Sequence, residues 1–142
     1  MVGFNKYNAN PKGKKTTDCV IRAISRATGK HYNDVVMDLA QLQIKTGYDD
    51  GSKECYEKYL EQHGWIKHKQ PKYENGSKYL VGDIFRITQP YQRVIITMAG
   101  HMTVKDGEIQ DTWDCRRKTI SNYYTHPDDE KDGNEPSERS KA

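Results

Sequence analysis

Ala99-Gly-His-Met-Thr-Val-Lys-Asp-Gly-Glu-Ile-Gln-Asp-Thr-Trp-Asp114 is the stretch of this chain that decides its fold. It predicts a β-hairpin, because a β-branched run at Val94–Met98 leads into it and the Lys-Asp-Gly sequence at 105–107 is typical of a turn. Residues 108–113 then form the returning strand. A histidine lies on the first strand and an aspartate on the second, so the pairing of the strands decides which chemistry is available.

The register of this hairpin decides whether His101 faces an acid. A two-residue loop at Asp106-Gly107 pairs His101 with Thr112 and sends Asp111 to the other face, because side chains alternate along a strand. A three-residue loop with Gly107 in the left-handed conformation pairs His101 with Asp111. Asp at the turn centre and Gly at the bulge position favour the second register. We therefore expect the imidazole to face the Asp111 carboxylate.

The composition is that of a single domain with a small core. The chain has 142 residues, of which 34% are hydrophobic, and its mean hydropathy is −1.03. No apolar run approaches the length of about 18 residues that a membrane helix needs, and no charged-then-apolar leader is present. We therefore expect a soluble, cytoplasmic protein with no membrane partner and one domain over residues 1–127.

Charge is distributed unevenly along the chain. Residues 128–142 carry six acids against three bases and predict a disordered acidic tail. The rest of the chain is net basic, with lysines at 12, 14 and 15 and in the segment 67–78. Because basic charge this dispersed is typical of a solvated surface, we do not expect a nucleic-acid partner.

Helical patterns come first in the chain and strand patterns follow. The predicted helices cover Cys19–Thr28 and residues 34–46, 52–64 and 79–87, and the predicted strands cover Val94–Met98, both arms of the hairpin and Asn122–Thr125. Residues 1–15 predict no helix or strand, and the polar segment 67–78 predicts a surface excursion. This order favours an α+β fold in which N-terminal helices pack on a C-terminal antiparallel sheet.

The helix ends carry residues typical of caps. Asn33 is expected to cap the second helix, with Tyr32 packing on Met37 as a hydrophobic staple. Ser52 is expected to cap the third helix, and Gly29 to end the first. These positions fix the expected helix boundaries.

The three cysteines, Cys19, Cys55 and Cys115, form no Cys-x-x-Cys pair, so we expect free thiols. A zinc site formed by one of them with His101 is chemically possible, but the spacings match no usual zinc framework. We therefore expect neither a metal nor another cofactor. Cys55 is most simply a small buried residue of the third helix.

Cys19, His101 and Asp111 together form a possible catalytic triad. A cysteine in the first turn of a helix lies at the positive end of the helix dipole, which favours its thiolate. A nearby His101 can accept the thiol proton and later return it to a leaving group. Asp111 across the hairpin can fix the histidine tautomer, and Asp114 is the alternative orienting acid if the register is shifted.

Two motifs carry a resemblance to a known family. Thr-Thr-Asp-Cys-Val-Ile-Arg-Ala at 16–23, followed by the Gly-His and Asp-Gly…Asp-Thr-Trp-Asp sequences of the hairpin, resembles the papain-like cysteine peptidase superfamily. The resemblance is strongest to small phage and prophage proteins with these motifs, and it extends from Asp18 to about Tyr124. It implies an α+β fold in which the helix that bears the nucleophile packs on the sheet that bears the histidine and the acid.

The resemblance also implies roles and partners. Cys19 corresponds to the nucleophile, His101 to the base and Asp111 to the orienting acid, in an enzyme that cleaves a peptide, isopeptide or related acyl bond. Its substrate would be a protein or peptide, including a host protein in the host cytosol if the chain is phage encoded. The alternative is a non-catalytic phage protein of the same fold that binds and inhibits a host defence protein.

One part of the family pattern is missing from this chain. Papain-like enzymes usually carry a glutamine a few residues before the cysteine, where its amide donates to the oxyanion, and residues 12–17 contain none. Asn10 is the candidate for this donor, and the backbone N–H of Cys19 is the second.

Overall fold

Three helices come before most of a six-stranded sheet in this chain. The structure, a computed structural model, describes residues 3–130. In chain order the elements are β1 (Phe4–Lys6), α1 (Cys19–Thr28), α2 (Tyr32–Thr46), α3 (Lys53–Gln62), β2 (Ile66–His68), a 3₁₀ helix (Val81–Arg86), β3 (Val94–Met98), β4 (His101–Asp106), β5 (Glu108–Asp111), β6 (Asn122–Thr125) and a second 3₁₀ helix (Pro127–Glu130). The fold is therefore of the α+β class.

Helix α1 forms with the predicted bounds because its apolar residues recur at helical spacing. Val20, Ala23, Ile24 and Ala27 are all buried on one stripe. Gly29 ends the helix with φ +76°, a left-handed conformation that glycine adopts without strain. The buried stripe turns this helix toward the sheet.

The prediction for the start of α2 was wrong. His31, not Asn33, is the capping residue, and its Nδ1 accepts a hydrogen bond from the Asn33 backbone N–H at 3.1 Å. The Tyr32 hydroxyl donates to Asp18 at 2.6 Å, and Met37 is 62% exposed, so the expected staple is replaced by a polar contact. Ser52 caps α3 as predicted, since its hydroxyl accepts from the Cys55 backbone N–H at 3.2 Å.

The predicted fourth helix is a shorter 3₁₀ helix. The backbone N–H groups of Val81 and Gly82, at its start, donate to Lys118 and Arg116 at 2.8 and 2.9 Å. Leu80 is extended and forms a β-bridge with Thr119, so the helix starts only at Val81, and it packs Val81 and Ile84 against the sheet.

The strand order of the sheet is β1-β5-β4-β3-β6-β2. All neighbouring strands are antiparallel except β1 and β5, which are parallel. The expectation of an antiparallel, wholly C-terminal sheet was therefore wrong at both edges, where β1 comes from the N-terminal segment and β2 from the predicted surface excursion. Both edge strands have only three residues, which is too short to leave a pattern in the sequence.

The hairpin is tighter than either predicted register. Asp106 pairs directly with Glu108, and Gly107 between them has φ +75°. Continued by one residue, this register places Asp111 opposite Thr103. Since Thr103 and His101 are two residues apart on one strand, Asp111 lies on the same face as His101 although the expected loop length was wrong.

The sheet is buried on both faces. Ile95 and Ile96 are neighbours on β3 and are both fully buried, one in each of two apolar clusters. The first cluster joins the sheet to α1, α2 and α3, through residues such as Ile24 and Leu39. The second lies on the opposite face and contains Ile109, Cys115 and Ile120. Among residues 3–130, no helix has the length and apolar character needed to cross a membrane.

The expected domain boundary lies inside a short 3₁₀ helix. Asp129, within Pro127–Glu130, is 4% exposed, and its carboxylate accepts the backbone N–H of Arg93 at 3.1 Å. Ordered packing thus continues beyond residue 127. The remainder of the predicted acidic tail, 131–142, lies outside the described residues.

Candidate active site

Cys19 is the first residue of α1 and is partly buried. Asp18 occupies the N-cap position, but its side chain makes no capping hydrogen bond. It instead accepts from Arg22, one turn along the helix, and from the Tyr32 hydroxyl. The N–H groups of the first turn, which have no acceptor within the helix, therefore lie beside the thiol without a side-chain cap.

His101 begins β4 and faces the acid of the hairpin. Its Nε2 and Asp111 Oδ2 are 2.7 Å apart. The side chain of His101 is 11% exposed and that of Asp111 is 2% exposed. The Trp113 indole lies over the imidazole at 4.8 Å between ring centroids. The imidazole is thus held at one nitrogen and covered on one face.

The thiol and the imidazole are close enough to shift each other's pKa. Because Nε2 of His101 is engaged by Asp111, Nδ1 is the nitrogen left for Cys19. Burial alone raises the pKa of Cys19, but hydrogen bonds to His101 and to the Met102 backbone N–H, with the charges of His101 and Arg22, bring this pKa below its ordinary value. The thiolate is therefore favoured.

The pKa of His101 shifts in the direction opposite to that of Cys19. Burial opposes a charge on His101, but hydrogen bonds with Asp111, Cys115 and Cys19 outweigh it and raise the pKa of His101 to about 11. A thiol with a lowered pKa beside an imidazole with a raised pKa favours the thiolate and imidazolium forms of the pair. This is the charge state that a cysteine nucleophile needs.

The two oxygens of Asp111 have different partners. Oδ1 accepts the Thr112 backbone N–H at 2.7 Å and lies 3.3 Å from the Arg22 guanidinium. Oδ2 faces His101 and the Cys115 thiol, whose sulfur is 3.6 Å away. Burial raises the pKa of Asp111, but the hydrogen bond and charge of His101, with the Thr112 N–H, lower it overall. The carboxylate stays ionised and fixed in rotation.

Asp114, the alternative orienting acid, lies elsewhere. Its carboxylate is exposed and accepts two hydrogen bonds from the Arg116 guanidinium, at 2.9 and 2.8 Å. The acid that contacts His101 is Asp111.

Asn10, the candidate oxyanion donor, lies near the start of α1 but is engaged by other acceptors. Its amide nitrogen is 3.3 Å from Asp18 Oδ2 and 3.5 Å from the Tyr32 hydroxyl. The two acceptor oxygens are themselves 2.6 Å apart, so the amide of Asn10 faces the Asp18–Tyr32 hydrogen bond and braces Asp18.

Sequence reasoning missed two residues that contact the acid. Arg22 is 8% exposed and bridges Asp18 and Asp111, and its i, i+4 spacing from Asp18 is a signal that could have found half of this bridge. Cys115 is fully buried beside Asp111, and nothing local in the sequence marks that contact.

Comparison of the chain with known protein families, with curated proteins and with solved structures gave no match. Function must therefore be inferred from the residues of the site and their geometry.

Proposed function

We propose that this protein is a cysteine hydrolase with a papain-like arrangement of Cys19, His101 and Asp111, and that it cleaves a peptide, isopeptide or related acyl bond. The observation that carries this proposal is His101, bonded at Nε2 to a buried carboxylate and coupled in pKa to a thiol at a helix N-terminus. The motifs that resemble small phage and prophage members of that superfamily support the same function.

Acylation begins with attack of the Cys19 thiolate on the substrate carbonyl carbon. The carbon–sulfur bond forms, and the carbonyl electron pair moves to oxygen. When the tetrahedral intermediate collapses, the carbon–nitrogen bond breaks and the imidazolium of His101 gives its Nδ1 proton to the departing amine. The products of this step are a thioester on Cys19, a free amine and a neutral His101.

In deacylation, His101 acts as a general base, whereas in acylation it acted as a general acid. Neutral His101 takes a proton from water, whose oxygen attacks the thioester carbon. The carbon–sulfur bond then breaks, which releases the carboxylic acid and restores the thiolate and imidazolium pair. Asp111 keeps Nδ1 directed at the reacting atoms and stabilises the imidazolium in both steps.

The oxyanion is stabilised by backbone donors at the start of α1. The Cys19 N–H is available there because Asp18 turns away from the helix end. No glutamine precedes Cys19, and the Asn10 amide is engaged by Asp18 and Tyr32. Since loss of one such donor costs about 10²–10³-fold in rate, we expect slow turnover.

Labelling with a thiol-directed acyl probe tests the proposal, followed by hydrolysis of fluorogenic peptide and isopeptide substrates. We expect Cys19→Ala to abolish both labelling and hydrolysis. The matched control is Cys55→Ala, at a fully buried cysteine of α3, and we expect it to keep both. Labelling of folded Cys19→Ala at the wild-type rate would falsify the proposal.

A second candidate function is non-catalytic binding of a protein, such as a host defence protein. The engaged Asn10 amide favours it, as do two apolar side chains on the outer face of α2, Met37 at 62% and Ile44 at 83% exposure. If the function is binding, Cys19→Ala keeps the affinity for the partner protein and Ile44→Glu loses it. The opposite pattern rejects a binding function for this face.

A further inference from the structure

Cys115 lies beside the orienting acid, and the proposed hydrolysis does not use its thiol. The side chain is fully buried, and its sulfur is 3.6 Å from Asp111 Oδ2. That oxygen is 2.7 Å from His101 Nε2, and the three donor atoms all lie within 4.8 Å of one another. Thiolate, imidazole and carboxylate are the ligand types that proteins use to bind zinc.

Two of the separations can be compared directly with those in a tetrahedral metal site. Zinc bonds of about 2.0–2.3 Å put the ligand atoms about 3.3–3.7 Å apart. The separation between Asp111 Oδ2 and Cys115 Sγ, 3.6 Å, already lies in this range. The separation between His101 Nε2 and Asp111 Oδ2, 2.7 Å, must widen by about 0.6 Å to reach it. Three protein ligands leave the fourth position for water.

The exchange of protons for zinc conserves the charge of the site. One proton leaves Nε2 of His101, which donates it to Asp111 before the metal enters, and a second leaves the Cys115 thiol. Zinc adds two positive charges, and the two departing protons remove two. The net charge that faces the Arg22 guanidinium, 3.3 Å from Asp111 Oδ1, therefore does not change. The buried Arg22 guanidinium would oppose zinc binding if the net charge of the site became more positive. Because the net charge is unchanged, this repulsion does not increase.

The cluster is close to solvent at one point. The His101 side chain is 11% exposed, and Trp113, which lies over its ring, is 40% exposed. A shift of the Trp113 side chain therefore opens a path for a hydrated metal ion to reach the imidazole. The Cys115 and Asp111 side chains are more buried than the imidazole.

We propose that His101 Nε2, Asp111 Oδ2 and Cys115 Sγ form an inhibitory zinc site. Zinc occupies the nitrogen and the oxygen whose hydrogen bond orients His101, so His101 no longer relays protons for Cys19. Binding is independent of the hydrolase activity, and only its inhibitory consequence rests on the proposed function.

Calorimetric titration of the chelator-treated, reduced protein with zinc chloride tests the site. We expect one zinc per chain, and association at least tenfold weaker in Cys115→Ser. Cys55→Ser is the matched control, because Cys55 is also fully buried but contacts Tyr48 and Thr46 instead of the cluster. We expect its zinc affinity to equal that of the wild type. No zinc binding by the wild type overturns the proposal.

The same titration in buffers of different ionisation enthalpy counts the protons released. Since Cys19 can take up one proton when the imidazolium is lost, release of at least one proton per zinc supports the site, and release of none contradicts it. Zinc binding that Cys19→Ser abolishes and Cys115→Ser leaves intact would place the metal on the nucleophile and also overturn the proposal.

Cobalt(II) decides the question if Cys115→Ser does not fold. In the double variant Cys19→Ser/Cys55→Ser, Cys115 is the only thiol left. A thiolate-to-cobalt charge-transfer band in this variant supports the site, and its absence rejects it.

Activity separates the two proposals. If the protein binds zinc but hydrolyses no substrate, the zinc-site proposal is supported and the hydrolase proposal is rejected. If hydrolysis continues at saturating zinc, inhibition by zinc is rejected and the hydrolase proposal is supported.

Discussion

The two carboxylate oxygens of Asp111 contact different groups. Oδ1 is held by the Thr112 backbone N–H and lies near Arg22, while Oδ2 faces His101 at 2.7 Å. A buried carboxylate with donors on both oxygens stays ionised, and an ionised carboxylate is what keeps His101 charged. The reactivity of Cys19 should therefore depend on an acid that the thiol does not touch.

Asp111→Asn tests this dependence. Without the carboxylate, the pKa of His101 falls from about 11 toward its ordinary value of 6.5. Less imidazolium then faces the thiol, so the pKa of Cys19 rises, and alkylation of Cys19 by iodoacetamide should begin at a pH higher by at least about one unit. Mass spectrometry of the Cys19 peptide across a pH series measures this shift.

Asp114→Asn is the control for that series. Its carboxylate pairs with Arg116 at the surface, so the alkylation profile should match that of the wild type. An equal shift in both variants would show that general loss of negative charge, and not the contact with His101, sets the reactivity.

The hairpin of β4 and β5 is the element that holds the base and its acid together. Gly107 alone separates the paired residues Asp106 and Glu108, and its φ of +75° lies in the left-handed region. A Cβ at this position would have open space around it, with nothing within 4 Å. The cost of a side chain here is therefore conformational and not steric.

Gly107→Ala should destabilise the protein by about 1–2 kcal/mol, because a left-handed residue other than glycine carries a backbone penalty of that size. Urea unfolding measures the change. Gly51→Ala is the matched control, since Gly51 also has open space around it but lacks a positive φ. Equal free energies of unfolding for the two variants would contradict the conformational origin of the cost.

Sequence reasoning succeeded where the pattern is local. Helix α1 and strands β3 and β6 have the predicted bounds, because their apolar spacing and flanking residues lie within the segments themselves. Strands β1 and β2 were missed, because three residues carry no pattern and their pairing partners lie far along the chain. The predicted helix at 79–87 starts later and is a 3₁₀ helix at Val81–Arg86, since Leu80 pairs with the distant Thr119.

The site shows the same limit at the level of side chains. His101 and Asp111 were expected on one face, and they share it because the observed register differs from the expected one by two residues, which preserves the alternation. The contacts of Arg22 and Cys115 with Asp111 could not be predicted, because they arise only when α1 and the segment after β5 meet at the sheet. Proximity of this kind has no signature in a single sequence.

At the scale of the whole molecule, apolar clusters cover both faces of the sheet, and the last described segment bonds to the residue before β3. Asp129, near the end of the described residues, is 4% exposed, and its carboxylate accepts the Arg93 backbone N–H at the start of the central strands. The segment 127–130 thus belongs to the folded domain in the same sense as the strands do.

A chain shortened to end at Thr125 should therefore be less stable than one that ends at Glu130. Loss of the Asp129 carboxylate leaves a buried backbone N–H without its acceptor, which costs about 1–3 kcal/mol. Chemical unfolding of the two chains measures this difference, and equal midpoints with equal slopes would contradict it.

Strand β1 pairs in parallel with β5, and the Tyr7 backbone N–H donates to the Asp111 carbonyl at 2.8 Å. On the ribosome, the first strand to emerge must wait for a partner that lies 105 residues later, at the pairing of Phe4 with Ile109. Cys19 emerges early as well, and the histidine and acid that activate it emerge only with β4 and β5. Under the proposed function, the thiol is therefore an ordinary cysteine during early synthesis, and it gains its activating partners only when β4 and β5 have been made.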